Sequence, residues 1–370
     1  MPPMPTKKIL DAQPKAHNWE FRLIKKLVLF LVGLGITIFA AYSTLMNTRW
    51  GQDFLLQQAI TVIASGAAPS KGFDGLEVLV CGSSSPLGMK SGQAQSCIMV
   101  RAGDQIFLID VGPGSNRVLQ ANNVPLGLLK GVFLTHFHSD HISAIYDVNL
   151  TSWVAGRPGS LQIFGPTGVS NVVNGFNLVF ELDRKYRVAH HGEELLPSEF
   201  GLLRSNLVEP GLIFENEGLK VFAFRVDHKP VEPALGYRFE YEGRSVAISG
   251  DTIVSPSFIA GIKGVDLLLT DALSPTLINN FANAAEASGN NRLAKIMRDV
   301  LDYHAHTTAL GDLGETLNID QVALYHLVPV PSNSFLQTIF MRDMPSDTLM
   351  TKDGDRFLLP SGSQDIIFEQ

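Results

Sequence analysis

Cysteine is scarce. Cys81 and Cys97 are the only two in 370 residues, too few for a cysteine-rich electron-transfer module, and neither sits in a motif that reads as a ligand site. Two buried free thiols are the plainer reading of the pair, with a bond open to them outside the cytoplasm. The body also has no long basic run, and the formal net charge is −7. That balance disfavours a polyanion held over a wide electrostatic surface, leaving only a local basic patch open. No internal repeat is visible. Histidine is limited to 10 residues, so any local concentration of it carries information.

What is present suits one large globular domain plus an N-terminal appendage: 45% of residues are hydrophobic and 33 are glycine, enough for a sizeable core with many turns. The expected boundaries are 1–26 as a cytoplasmic basic leader, 27–48 as a transmembrane anchor or signal segment, 49–73 as stalk and linker, and 74–370 as the catalytic domain. Leu27 to Thr48 contains no charged side chain and is long enough to cross a hydrocarbon core of about 30 Å. Lys7, Lys8, Lys15, Arg22, Lys25 and Lys26 precede it against only Asp11 and Glu20, which keeps that end cytoplasmic and sends the main domain across the membrane. Small residues at Ala40 and Ala41 leave a cleaved signal peptide as the rival, but the charged leader is long for one.

Along the body, Leu76–Val80, Ser96–Arg101, Gln105–Ile109, Leu161–Phe164, Leu219–Val226, Ala234–Tyr241, Ser245–Ile248, Asp266–Thr270 and Val322–Tyr325 read as strands. Asn116–Asn122, His141–Trp153, Val169–Phe180 and part of Ala282–Val300 read as helices, and Lys352-Asp353-Gly354-Asp355 as a hairpin turn. Ser65–Gly72 is a linker pattern. Arg184, Lys185 and Arg187 form a modest charge group, read as a solvated helix face.

The most informative segment is Thr135-His136-Phe137-His138-Ser139-Asp140-His141, which follows the apolar run Gly131-Val132-Phe133-Leu134. A strand ending in a tight loop would aim three imidazoles and a carboxylate at one point, and those are the ligand types zinc and similar divalent ions prefer.

His-x-His-x-Asp-His after an apolar strand resembles the signature of the metallo-β-lactamase-fold hydrolases. Four further segments resemble that family's motifs in order: Leu108-Ile109-Asp110-Val111-Gly112, Val226-Asp227-His228, Ile248-Ser249-Gly250-Asp251-Thr252 and Leu324-Tyr325-His326-Leu327-Val328-Pro329. Ser-Gly-Asp-Thr, with Gly236-Tyr237-Arg238 upstream, points to the subgroup that includes ribonuclease Z. The resemblance implies an α/β (α+β) fold, a four-layer αββα sandwich, which periodicity alone would not select. It also implies two zinc ions, with manganese or iron as alternatives. His136, His138 and His228 would hold the first ion, and Asp140, His141 and His326 the second. Asp251 would bridge them, its two oxygens spanning what one histidine cannot. Asp110 would orient a ligand histidine, or act as an ordinary loop cap. Asp140 could also accept a proton from the attacking water. His304, or less well His306, matches the offset of the histidine that assists the leaving group in ribonuclease Z relatives. His190-His191 reads as a surface or pocket-rim pair.

The expected activity is a dinuclear metal-dependent hydrolase in which hydroxide generated at the metals attacks a phosphodiester or related ester, anchored in a membrane and facing outside the cytoplasm, in the periplasm if bacterial. The bridging aspartate argues against β-lactam hydrolysis as the main task. No basic, Gly/Pro-rich excursion lies between Gly165 and His228 to grip tRNA, so no specific nucleic acid is expected, and a small ester or phosphodiester is. The alternatives are a lactonase/β-lactamase-like or arylsulfatase-like hydrolase of the same fold, an iron-dependent oxidoreductase, and a non-catalytic metal-stabilised binding protein. The resemblance also allows a homodimer.

Overall fold

The computed structural model describes residues 18–65, 72–87 and 92–370. The lysines at 7, 8 and 15 and most of the expected linker (66–71) lie outside the described residues. The chain divides into two units, Met1–Ser70 and Lys71–Gln370.

In the first unit, α1 (Asn18–Asn47) is followed by α2 (Arg49–Ser65). Within α1, Phe21–Asn47 is long and apolar enough to cross a membrane, and none of that stretch is buried. Its apolar side chains, such as Phe30 and Phe39, are exposed.

The second unit is built on two sheets. β1 (Gly75–Gly82), β2 (Cys97–Ala102), β3 (Gln105–Ile109), β4 (Leu129–Phe133), β5 (Leu161–Gly165) and β6 (Leu203–Leu207) run in order across the first. The chain then lays down β7 (Gly211–Asn216), β8 (Leu219–His228), β9 (Val231–Tyr241), β10 (Arg244–Ile248), β11 (Leu267–Leu273), β12 (Gln321–Val328) and β13 (Leu349–Met350) as the second. It returns to the first sheet as β14 (Arg356–Pro360) and β15 (Ile367–Glu369), beside β1. The segment 352–355 therefore joins the two sheets and is not a hairpin: β13 pairs with β12, and β14 with β1.

Packing explains the strands that read as unbroken apolar runs. β1, β2, β3, β10 and β11 are buried on both faces, as expected when each sheet has a partner sheet on one side and helices on the other. Between the sheets, Val78, Phe107, Phe133, Tyr237, Phe239 and Leu269 belong to one core cluster. A second cluster joins the outer face of the first sheet to α3 (Ser115–Ala121), α5 (Ile145–Val154) and α6 (Val169–Val179), which flank the short α4 (Ser139–Ile142). A third covers the outer face of the second sheet with α8 (Pro256–Ile262), which follows α7 (Glu181–His191), and with later helices. This is the αββα sandwich. The expected helix His141–Trp153 is interrupted at Ser143-Ala144, so α4 and α5 are separate.

Cys81 and Cys97 are bonded to each other, contrary to the free-thiol reading. The cause is register: β1 and β2 are antiparallel neighbours, and the irregularity between Val80 and Gly82 brings the two cysteines side by side.

Candidate metal centre

The candidate residues converge where strands end. Asp110 follows β3, the loop His136–His141 follows β4, His228 closes β8, Asp251 follows β10 and His326 lies near the end of β12. Parallel pairing of β3 with β4, of β10 with β11 and of β11 with β12 puts these C-terminal ends along one edge of the sandwich, where α/β sheets commonly place ligand sites.

Two backbone features hold the ends in place. Asp110 (φ 57°) and His326 (φ 43°) adopt left-handed conformations that non-glycine residues rarely take, a strain that surrounding structure must support. Gly250 (φ +63°), just before Asp251, has no such latitude to change: a Cβ there would stand 2.7 Å from the Thr135 Cβ.

Hydrogen bonds fix the imidazoles. The Asp110 carboxylate accepts from Thr135 N (2.9 Å), Thr135 Oγ1 (2.8 Å) and His141 Nδ1 (2.7 Å). Thr135 Oγ1, with its proton committed to Asp110, is left to accept from His136 Nδ1 at 3.0 Å. His228 Nδ1 donates to the Tyr303 carbonyl at 2.8 Å. A carboxylate, a spent hydroxyl and a carbonyl can only accept here, so His136, His141 and His228 each hold a proton on Nδ1 and turn Nε2 inward, a bare lone pair wherever the ring is neutral.

Those lone pairs meet. His136 Nε2 lies 3.0 Å and His228 Nε2 3.4 Å from His138 Nδ1, and one proton could satisfy only one of the two contacts. His141 Nε2 and His326 Nδ1 each lie 3.4 Å from Asp251 Oδ1, yet all three atoms are buried without a hydrogen-bond partner. His326 Nε2 reaches Asp140 Oδ2 at 3.0 Å. Ligating atoms group within 4.8 Å of one another as His136/His138/His228/Asp251 and as Asp140/His141/His326. Buried lone-pair atoms of this type facing one another unsatisfied cost free energy unless a cation sits among them, so the residues fit divalent metal, as the fold implies.

Electrostatics divide the rings. Burial, reinforced by neighbouring His141, holds His136 well below the ordinary histidine range. Burial likewise lowers His228 to about 4 despite the pull of Asp251, so both rings are neutral near pH 7. Burial opposes charge on His141 too, but Asp251 and Asp110 outweigh it and raise its pKa. Burial should raise the Asp251 and Asp140 carboxyls, yet the imidazoles beside them hold both below the usual carboxylate range.

His304 and His306 part company. His304 is buried, and its Nδ1 donates to Asp271 Oδ2 at 2.9 Å while lying 3.9 Å from Asp251 Oδ2. Its Nε2 has no hydrogen-bond partner among the described residues. His306 instead binds the Leu301 carbonyl through Nε2 at 2.8 Å and is not brought to the cluster. His190 and His191 are exposed at the end of α7, away from these groups.

Asp271 was not anticipated. It lies in the apolar strand β11, wholly buried, and the one available signal was a lone carboxylate inside the run Leu267–Leu273. The Tyr303 carbonyl, a backbone group, left no signal at all.

Residues 91–296 match the family model described as the metallo-beta-lactamase superfamily. Ribonuclease Z of Mycobacterium marinum is 30% identical over 257 residues, 69% of this chain and 87% of that protein. Ribonuclease Z of Mycolicibacterium gilvum is 31% identical over 259 residues, 69% of this chain and 85% of that protein. Among solved structures, the metallo-beta-lactamase fold protein YhfI from Bacillus subtilis superposes with a TM-score of 0.54 at 17% identity, covering 76% of this chain and 99% of that one. The short form of human tRNase Z gives 0.54 at 18% identity, covering 77% and 99%.

Proposed function

Because the chain belongs to the metallo-β-lactamase superfamily, as a ribonuclease Z-like hydrolase, we propose that it is a membrane-anchored enzyme that hydrolyses phosphodiesters or related esters with two divalent ions, zinc first among them. The observation that carries this reading is the set of buried, partnerless ligating atoms on His141, Asp251 and His326 facing one another at the strand ends.

His136, His138 and His228 would hold one ion, and Asp140, His141 and His326 the other, with Asp251 between them. Bound there, such ions lower the pKa of water toward neutrality and offset negative charge growing on the reacting ester. The chain's own groups do the rest. Asp110, Thr135 and the Tyr303 carbonyl orient the imidazoles. Asp140 can take the proton released by the attacking water. His304, its Nδ1 held by Asp271, can deliver a proton from Nε2 to the departing alkoxide.

The relatives' name places RNA among the substrates to be tested, and RNA is the second reading. Against it stand the net charge of −7 and the apolar helix, which supports an anchor. The Cys81–Cys97 bond supports a domain outside the reducing cytoplasm.

The test is a panel of bis-p-nitrophenyl phosphate, alkyl phosphodiesters, lactones, aryl sulfates, a β-lactam and a tRNA precursor, run on wild type and Asp140→Ala. Phosphodiester turnover abolished by the substitution, with the thermal transition retained, is the expected result. Turnover confined to precursor tRNA would favour the second reading, and activity surviving in Asp140→Ala would contradict the site.

A further inference from the structure

We infer that the α6–α7 helical pair is a second membrane contact, an apolar ridge that rests in the interfacial layer of the bilayer holding α1. The inference depends on the anchor reading above.

Leu178, Val179, Leu182 and Tyr186 are exposed by 72%, 72%, 59% and 60%. Leu178, Leu182 and Tyr186 recur at i, i+4 and i+8, and the two helices are interrupted only at Phe180, where Arg184 N still bonds to the Phe180 carbonyl. The four side chains therefore form one stripe over two turns. The other exposed large apolar side chains of this unit are spread over other elements, one to an element. Scattered single residues of that kind are ordinary, whereas a contiguous apolar stripe marks an interaction surface.

The occupant is argued from this chain. The Phe21–Asn47 stretch of α1 is apolar, unburied and long enough to cross a membrane, and its covalent connection keeps the second unit near whatever surface takes up α1. The exposed charges beside the stripe are paired, Lys185 with Glu181 and Arg187 with Asp183 at 2.8 Å, while the third cation, Arg184, is buried. A balanced surface draws nothing from an anionic membrane but suits zwitterionic headgroups, into which amphipathic helices sink their apolar face by about 5–10 Å. A cleft of about 730 Å³ on the flank of α7, lined by Arg184, Lys185, Glu193 and Arg204 among others, offers both signs of charge to such headgroups.

The stripe is also tied to the metal loop. Gly168, at the start of α6, lies against Phe137, so that a Cβ there would stand 3.1 Å from its ring. Phe180, between the helices, stacks on Tyr146 of α5 with centroids 3.5 Å apart. A bilayer in contact with α6–α7 would bring the metal loop toward the headgroup layer, where esters of amphiphiles lie.

The experiment uses the full chain in phosphatidylcholine nanodiscs. An environment-sensitive fluorophore is placed on Leu182→Cys, or on Gln364→Cys near the opposite edge of the first sheet, labelled without reductant because the native cysteines are bonded. Lipids brominated along the acyl chain should remove about half or more of the emission at 182 and little at 364, given interfacial burial of the stripe. Leu178→Glu with Val179→Glu, both exposed and remote from the ligands, should abolish quenching while the protein stays resistant to alkaline carbonate extraction. A label at 182 that is open to aqueous iodide, or shielded from iodide but untouched by bromolipid because a second copy covers it, overturns the inference with the anchor intact. Release by alkaline carbonate overturns the anchor reading and this inference with it.

Discussion

Replacing Asp271 by Asn should separate substrates by their leaving groups. The carboxylate is wholly buried, accepts from His304 Nδ1 at 2.9 Å, and leaves its other oxygen without a partner. Asparagine keeps the volume but presents either a neutral acceptor or a competing donor to Nδ1. The His304 ring then loses the acceptor that fixes its Nδ1 proton and its orientation. General acid catalysis contributes about 10²- to 10⁴-fold, or about 3–5 kcal/mol of barrier, when the leaving alkoxide is strongly basic. A p-nitrophenolate, whose conjugate acid has a pKa of about 7, departs without that help and should lose no more than about tenfold. The assay is kcat and KM for bis-p-nitrophenyl phosphate against a methyl or glyceryl phosphodiester, with bound metal measured on the same samples. A kcat loss confined to the alkyl ester, with KM and metal content unchanged, is expected. Equal losses on both esters, or no loss on either, would refute the role given to the His304–Asp271 pair.

Three further outcomes follow from the same structure. Asp110→Asn should weaken metal binding about 10- to 100-fold, because the His141 Nδ1 proton loses its acceptor; competition with a chromogenic chelator reads this directly. Metal-free protein should lose stability as pH falls from about 6.5 to about 4: His228 is held near 4 when folded, so the unfolded chain takes up the proton first, worth up to about 3 kcal/mol in the urea unfolding energy with His228→Gln as control. Reducing Cys81–Cys97, or replacing both by Ser, removes a link over a sequence separation of 16, which should cost about 3 kcal/mol and lower Tm by about 5–10 °C in calorimetry.

Much of the site was legible because it is local or because its motifs keep their order. Three histidines and an aspartate within one loop after an apolar strand announce themselves without tertiary information. Asp271 does not, since nothing in Leu267–Leu273 says that β11 will set it beside His304. His304 and His306 are two residues apart, and only the packing of their loop turns the first to the cluster and the second to the Leu301 carbonyl. β6, at an edge of the first sheet, carries the polar run Arg204-Ser205-Asn206 and lacked the apolar pattern of central strands. Lys352–Asp355 has the composition of a hairpin turn but crosses between sheets, where the Asp353 carboxylate accepts from Ser83 N, Ser83 Oγ and Ala94 N. Local turn chemistry cannot say which sheet receives the next strand.

The account turns on the count of metal ions in active protein. Full-length enzyme purified without chelator and analysed by inductively coupled plasma mass spectrometry should hold about two divalent ions per chain, as a two-metal hydrolase requires, with activity lost on chelation and restored by zinc. Full turnover with no bound metal, or with one ion and no gain from a second, would contradict it.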